Sequence, residues 1–112
     1  ILYQGWDDAE IPPALVTRYF ARVQQTMGGA APTREFARLF MLPGVAHCRR
    51  GPGADTADWL TYLERWVEQG KVPEAVDTYH LTTEQNYLGL PRPRFPLPAV
   101  DYDRVRSVKP FP

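Results

Sequence analysis

The chain has a single cysteine, Cys48, a single serine, Ser107, and no net charge, because 13 basic side chains balance 13 acidic ones. Each scarcity excludes something. One cysteine cannot build a disulfide framework within the chain, and His47, Cys48 and His80 lack zinc-ligand spacing, so neither a metal nor another cofactor is expected. A neutral chain lacks the broad positive field that nucleic acid or an anionic membrane surface selects, and the Arg49-Arg50 pair is too short to supply it. No apolar run approaches the roughly 20 residues of a bilayer span, and the first residues lack the pattern of a secretion signal. Neither nucleic acid nor membrane is an expected partner. Ser107 stands in Arg106-Ser107-Val108-Lys109, without the Gly-x-Ser-x-Gly elbow that exposes a nucleophilic hydroxyl, so serine chemistry would have to draw its nucleophile from elsewhere.

What is present suits one globular unit: 112 residues, 44% of them hydrophobic, which is enough for a core. Six of the 12 prolines fall between Pro91 and Pro112. The opening Ile1-Leu2-Tyr3-Gln4-Gly5 has no initiator Met and reads as the interior of a buried strand. The chain is therefore expected to be a segment of a larger domain that continues upstream.

Ile1 to Tyr3 predicts a strand closed by Gly5, followed by the acidic loop Asp7-Asp8-Ala9-Glu10. Pro12 and Pro13 open a helix, in which Leu15, Val16, Tyr19, Phe20 and Val23 form a stripe expected to face a core. Gly28-Gly29 ends it, with Ala30 to Thr33 as a loop and Phe36 to Leu42 as a second buried strand. Pro43 to Gly53 holds three Gly and two Pro in eleven positions and reads as a shaped loop. Asp55 or Thr56 is expected to cap the next helix, whose face is Trp59, Leu60, Leu63, Trp66 and Val67 and whose stop is Gly70. Val76 to Thr83 suits a peripheral strand, and Pro91 to Pro98 an extended tail.

Strand, helix, strand, helix makes two β-α units, and right-handed crossovers make the two strands parallel. The fold class is α/β. Both post-strand loops then emerge at the carboxyl edge of the sheet, where ligands and catalytic groups sit in open α/β folds. That edge would bring together Asp8 and His47. A base that takes a hydroxyl proton and a carboxylate that fixes its tautomer are two of the three parts of a nucleophilic hydrolase, and α/β-hydrolases carry them in the chain order Ser, acid, His. Structural roles remain open for each residue: Asp8 or its rival Asp7 as a turn or helix-capping residue, His47 as a hydrogen-bonded loop residue, and Cys48 as a buried inert thiol or a reactive free one. Trp59 and Trp66, seven apart on one helical face, suit a core. Trp6, beside the acid loop, suits either burial under the sheet rim or the lining of a substrate pocket.

Tyr3-Gln4-Gly5-Trp6-Asp7-Asp8-Ala9-Glu10-Ile11-Pro12-Pro13, Arg38-Leu39-Phe40-Met41-Leu42-Pro43-Gly44-Val45-Ala46-His47-Cys48, Gly51-Pro52-Gly53 and Trp66-Val67-Glu68-Gln69-Gly70-Lys71-Val72-Pro73 together resemble the C-terminal part of the tannase and feruloyl esterase family. The likeness runs from Ile1 to Pro73, with a weaker echo from Arg92 to Tyr102. It implies the C-terminal portion of an α/β-hydrolase catalytic domain over residues 1–112, whose nucleophile and lid lie outside the chain. It also implies a secreted or periplasmic serine carboxylesterase acting on small aromatic esters such as gallates and ferulates.

By the same resemblance Asp8 is the acid, His47 the base, and Cys48 half of a disulfide to a cysteine beside the nucleophile. The Gly-Trp-x-Asp spacing selects Asp8 over Asp7. The chain departs from the family at Gln4, where members usually have His, and at Phe95, where many have Cys. Alone it is expected to be inactive, and its partner is then the remainder of the same polypeptide. The alternative is a non-catalytic binding or interaction module that keeps the sheet rim without a nucleophile.

Overall fold

The computed structural model describes residues 1–82 and 95–112. In chain order these form β1 (Leu2–Gly5), α1 (Pro13–Thr26), α2 (Ala30–Arg34), β2 (Leu39–Leu42), α3 (Trp59–Gln69), β3 (Val76–Leu81), a short 3-10 turn (Ala99–Asp101) and β4 (Tyr102–Val108). The first two strands pair in parallel, from Leu2 opposite Leu39 to Gly5 opposite Leu42, as the β-α-β order predicts.

β2 is the centre of the molecule, with all four residues buried. Side chains alternate across a strand, so it serves two cores at once. Leu39 and Met41 pack with Phe20 of α1 and are flanked by Leu2, Val16, Ala37 and Phe111. Phe40 and Leu42 pack with Val45, Val76 and Val108, and Trp59 and Tyr62 of α3 close over them. Full burial of each such side chain contributes about 1.5–3 kcal/mol, so this short strand carries much of the fold. The chain returns to it at the end, where the Phe111 N–H donates to the Leu39 carbonyl at 2.7 Å.

Helix α1 begins where the sequence predicts, at the Pro12-Pro13 pair, but the apolar stripes of α1 and α3 are only partly covered. In α1, Phe20 is buried, whereas Leu15 and Tyr19 are 56% and 58% exposed; in α3, Leu60 and Val67 are 63% and 76% exposed. Two strands about 4.8 Å apart are narrower than a helix of about 10 Å diameter, so only the inner half of each stripe finds a partner here. Trp66 is covered instead by the guanidinium of Arg38, 5.4 Å from its ring centre.

Three local expectations need correction. Ala30 to Thr33 is helical rather than a loop: the Thr33 hydroxyl and N–H both return to the Gly29 carbonyl, and the turn continues through the Phe36 and Ala37 N–H groups to the Thr33 carbonyl. The same turn shortens the second strand, which starts at Leu39 and leaves Phe36 exposed. The cap of α3 is Asp58, whose carboxylate accepts the Thr61 N–H at 3.3 Å. Asp55 and Thr56 are engaged elsewhere. Asp55 accepts the Arg50 N–H and the Thr56 hydroxyl, while the Thr56 backbone exchanges two hydrogen bonds with Tyr79.

Beyond the expected tail lies a strand that the sequence reading did not include. Pro91 to Arg94 lie outside the described residues, and so does Thr83 of the strand expected over 76–83. Phe95 to Pro98 lead into the 3-10 turn, after which β4 forms an antiparallel hairpin with β3, from Leu81 opposite Tyr102 to Val76 opposite Val108.

Candidate active site

The carboxyl ends of β1 and β2 are laced together by backbone. The Trp6 N–H donates to the Leu42 carbonyl at 2.9 Å and the Asp7 N–H to the Val45 carbonyl at 3.0 Å, so the loop after one strand rests on the loop after the other. Asp8 then closes its own turn. Its Oδ1 accepts the Glu10 N–H at 3.0 Å and the Ile11 N–H at 2.8 Å, the local pairing that favours Asp at such positions. The residue is 7% exposed. Burial raises the pKa of the carboxyl, but the Ile11 N–H, the hydrogen bond from His47, the Glu10 N–H and the His47 charge together outweigh it and hold the pKa below the ordinary 3.8. Asp8 is therefore an anion at neutral pH.

His47 is presented by the loop of residues 43–53. That loop is tied internally by Ala46 N–H to the Arg50 carbonyl and Gly53 N–H to the Gly44 carbonyl, both at 2.9 Å, and externally by Arg50 N–H to Asp55. Cys48 and Arg50 adopt positive φ, 60° and 78°, a conformation that costs a non-glycine residue about 1–3 kcal/mol and persists only where its surroundings enforce it. The result is an imidazole aimed at the acid turn. Nδ1 of His47 lies 3.2 Å from Oδ1 and 3.1 Å from Oδ2 of Asp8, across 39 positions of sequence. An ionised carboxylate only accepts, so Nδ1 carries the proton and a neutral ring keeps its lone pair on Nε2. Nε2, on the far side of the ring, has the exposed carboxylate of Glu10 at 3.8 Å.

Of the two acidic candidates, Asp8 reaches His47 and Asp7 is exposed at the surface. The pair sits in a hollow of about 290 Å³ lined by Gln4, Asp8, Ile11, Val45, His47 and Cys48, among others. Cys48 is an exposed free thiol in this chain. Trp6 does not line the hollow; it is 43% exposed and packs edge-on against Phe111, ring centres 5.9 Å apart. Ser107 is opposite Asp77 in the β3–β4 hairpin and is not among the hollow's lining residues. Sequence reasoning missed two contacts: Glu10 beside Nε2, and Gln4, whose side chain reaches both Asp8 and the Ile11 carbonyl. The signal for Gln4 was its place one residue before the strand end, on the strand that leads into the acid loop.

A carboxylate-oriented imidazole at the carboxyl edge of a parallel sheet is an arrangement compatible with the α/β-hydrolase class. Comparison with known proteins agrees with that class. The family model described as tannase and feruloyl esterase matches residues 1–109, and the chain belongs to this family. It is 40% identical over 103 residues to the mono(2-hydroxyethyl) terephthalate hydrolase of Piscinibacter sakaiensis, covering 89% of this chain and 16% of that protein. It is also 40% identical over 76 residues to a probable feruloyl esterase of Arthroderma benhamiae, covering 66% of this chain and 14% of the relative. Among solved structures, an esterase from Aspergillus oryzae superposes with a TM-score of 0.75 at 25% identity, over 98% of this chain and 22% of that one. The feruloyl esterase B of the same fungus has the same fold, with a TM-score of 0.70. The chain thus spans less than a quarter of the length of the proteins it matches.

Proposed function

We propose that this chain carries the acid and the base of a serine-type carboxylic ester hydrolase acting on small aromatic esters, with Asp8 as the acid and His47 as the base. The observation that carries the reading is the approach of both Asp8 oxygens to His47 Nδ1. This arrangement leaves Nε2 to accept a proton. The nucleophile is a serine outside this chain, since Ser107 is placed in the hairpin, and residues 1–112 act as the C-terminal part of one catalytic domain.

In this mechanism the serine oxygen attacks the ester carbonyl as its proton passes to His47 Nε2, and Asp8 stabilises the imidazolium so formed. The tetrahedral intermediate collapses when Nε2 returns the proton to the departing alcohol, leaving an acyl-enzyme. Water repeats the sequence: His47 takes a proton from it, the acyl bond breaks, and Nε2 reprotonates the serine. The donors that stabilise the oxyanion come from the same outside segments as the nucleophile. Cys48, beside the base and at the edge of the hollow, pairs with a cysteine next to that serine, which would pin the two halves of the site to one another. A disulfide of this kind fits a secreted or periplasmic enzyme.

The aromatic class rests on the names of the sequence relatives, among them feruloyl esterases. The test is a burst experiment on the complete esterase with an aromatic ester whose alcohol is chromogenic. Wild-type enzyme is expected to release one equivalent of alcohol rapidly and then turn over, and His47→Ala is expected to do neither while keeping its fold. A His47→Ala enzyme with a full burst would overturn the assignment. Turnover of aliphatic esters in preference to aromatic ones would overturn the substrate class alone.

A further inference from the structure

We propose that Gln4 is a positioning residue for the base, acting through Asp8; this rests on the reading of Asp8 and His47 given above. Gln4 is the third residue of β1, and its Nε2 donates twice, to Asp8 Oδ2 at 3.3 Å and to the Ile11 carbonyl at 2.5 Å. Both partners are acceptors only, so the amide has one workable orientation: turned over, its oxygen would face a carboxylate and a carbonyl.

The division of labour on Asp8 explains why this matters. The backbone amides of Glu10 and Ile11 hold Oδ1. Oδ2, the oxygen nearer to His47 Nδ1 at 3.1 Å, has no backbone partner among the described residues and is held by Gln4. Without a donor there, the carboxyl is fixed at one oxygen and can swing about its Cβ–Cγ bond, and the imidazole it orients follows it. The second bond, to Ile11, ties the far end of the same turn to the strand. Gln4 therefore joins β1, the turn and the carboxylate in one short link, and its amide does so at every pH because it does not titrate.

Two substitutions in the complete esterase test this. Gln4→Leu keeps the side chain's bulk and loses the donor. It is expected to lower kcat by about tenfold to a hundredfold, the scale of a slightly misplaced catalytic group, with KM and the melting temperature little changed. Gln4→Glu is close to isosteric and carries a titratable donor. Protonated, it can give Asp8 its hydrogen bond; ionised, it is repelled by both Asp8 and the Ile11 carbonyl. Because a protonated carboxyl has one hydrogen for the amide's two, the ratio of variant to wild-type kcat is expected to be highest, though below one, at the acidic end of the activity range and to fall at least tenfold as pH rises.

A flat ratio across pH, or a loss confined to KM or to melting temperature, would overturn the positioning role. If Gln4→Leu does not fold, the pH dependence of Gln4→Glu decides. His47→Ala, run alongside, separates the two readings. Activity lost in that variant and retained in both Gln4 variants rejects the role of Gln4 and leaves the base in place, whereas activity retained in His47→Ala rejects the base itself.

Discussion

Gly5 and Val45 touch backbone to backbone where the two parallel strands end: a Cβ on Gly5 would collide with the Val45 carbonyl oxygen and stand 2.8 Å from that of Ala46. No rotamer change relieves such a contact, because the obstructing atoms are main chain. Gly5→Ala is expected to push the acid turn and the base loop apart. The cost should be about 1–3 kcal/mol of stability, as for other forced overpacking, together with a fall in kcat larger than the fall in stability alone would cause. Denaturant unfolding and initial rates on the same preparation check it, and wild-type kcat in the alanine variant would show that the contact is not needed for alignment.

The choice between neighbouring acids is open to direct measurement. Asp8→Asn keeps the shape but removes the charge that stabilises the imidazolium, and its amide can force the wrong tautomer on His47, so kcat should fall by about 10³–10⁴-fold. Asp7 is exposed, and Asp7→Asn should leave kcat within about twofold, as most surface changes do. The reverse ranking would transfer the acid role to Asp7.

Acid sensitivity follows from two carboxylates. Asp8 is held below 3.8 as described, and Asp103 is held below it chiefly by the hydrogen bond from His80, against the opposing effect of burial. A carboxyl whose pKa is lower in the folded state contributes stability that is fully present above the unfolded value and is lost as pH falls through the folded one. The contribution of these two carboxylates should therefore be level from neutral pH to about 4 and decline below it. Urea midpoints at pH 5 and pH 3 should differ less in Asp103→Asn than in the parent protein; equal differences would remove Asp103 from the account.

The proposed bond of Cys48 predicts a joint loss. A disulfide closing a long loop contributes about 2–5 kcal/mol, so mild reduction of the complete esterase should lower both its melting temperature and its kcat. Thiol titration of unreduced, denatured enzyme should find Cys48 blocked. A freely titrating Cys48 in fully active enzyme would eliminate the bond and leave the acid-base pair as it is.

The sheet edge was legible in the sequence because its determinants are local. Four consecutive apolar residues in Leu39 to Leu42, a proline-opened helix between the strands, and Gly/Pro-rich loops after each strand suffice to set the topology. Topology alone carries the loop of Asp7 and Asp8 and the loop of His47 to one rim, and only the family resemblance selected Asp8 over Asp7 there. Less was readable where long-range partners decide. Asp55 looked like a cap, but the Arg50 N–H, which no spacing rule anticipates, competes for its carboxylate. β4 escaped because Tyr102-Asp103-Arg104-Val105-Arg106-Ser107-Val108 is exposed over most of its length and so carries little hydrophobic alternation; its pairing with β3 makes it a strand. The contacts of Gln4 depend on how the turn folds back upon the strand, which pattern reading does not reach.

Because β1 and β2 run in parallel with Gly5 level with Leu42, the acid and base loops leave the sheet at the same height, and everything between Ile11 and Arg38 is a detour on one face. Away from Val16 and Phe20, which pack against β2, that detour can be lengthened or shortened without moving the ends of the two strands. Sliding β1 by a single residue is another matter: it would carry the acid about 3.3 Å along the strand and turn every side chain to the opposite face. Variation among natural relatives should accordingly accumulate as insertions and deletions around Gly28 and Gly29, while the spacing from Gly5 to Asp8 and from Leu42 to His47 stays fixed.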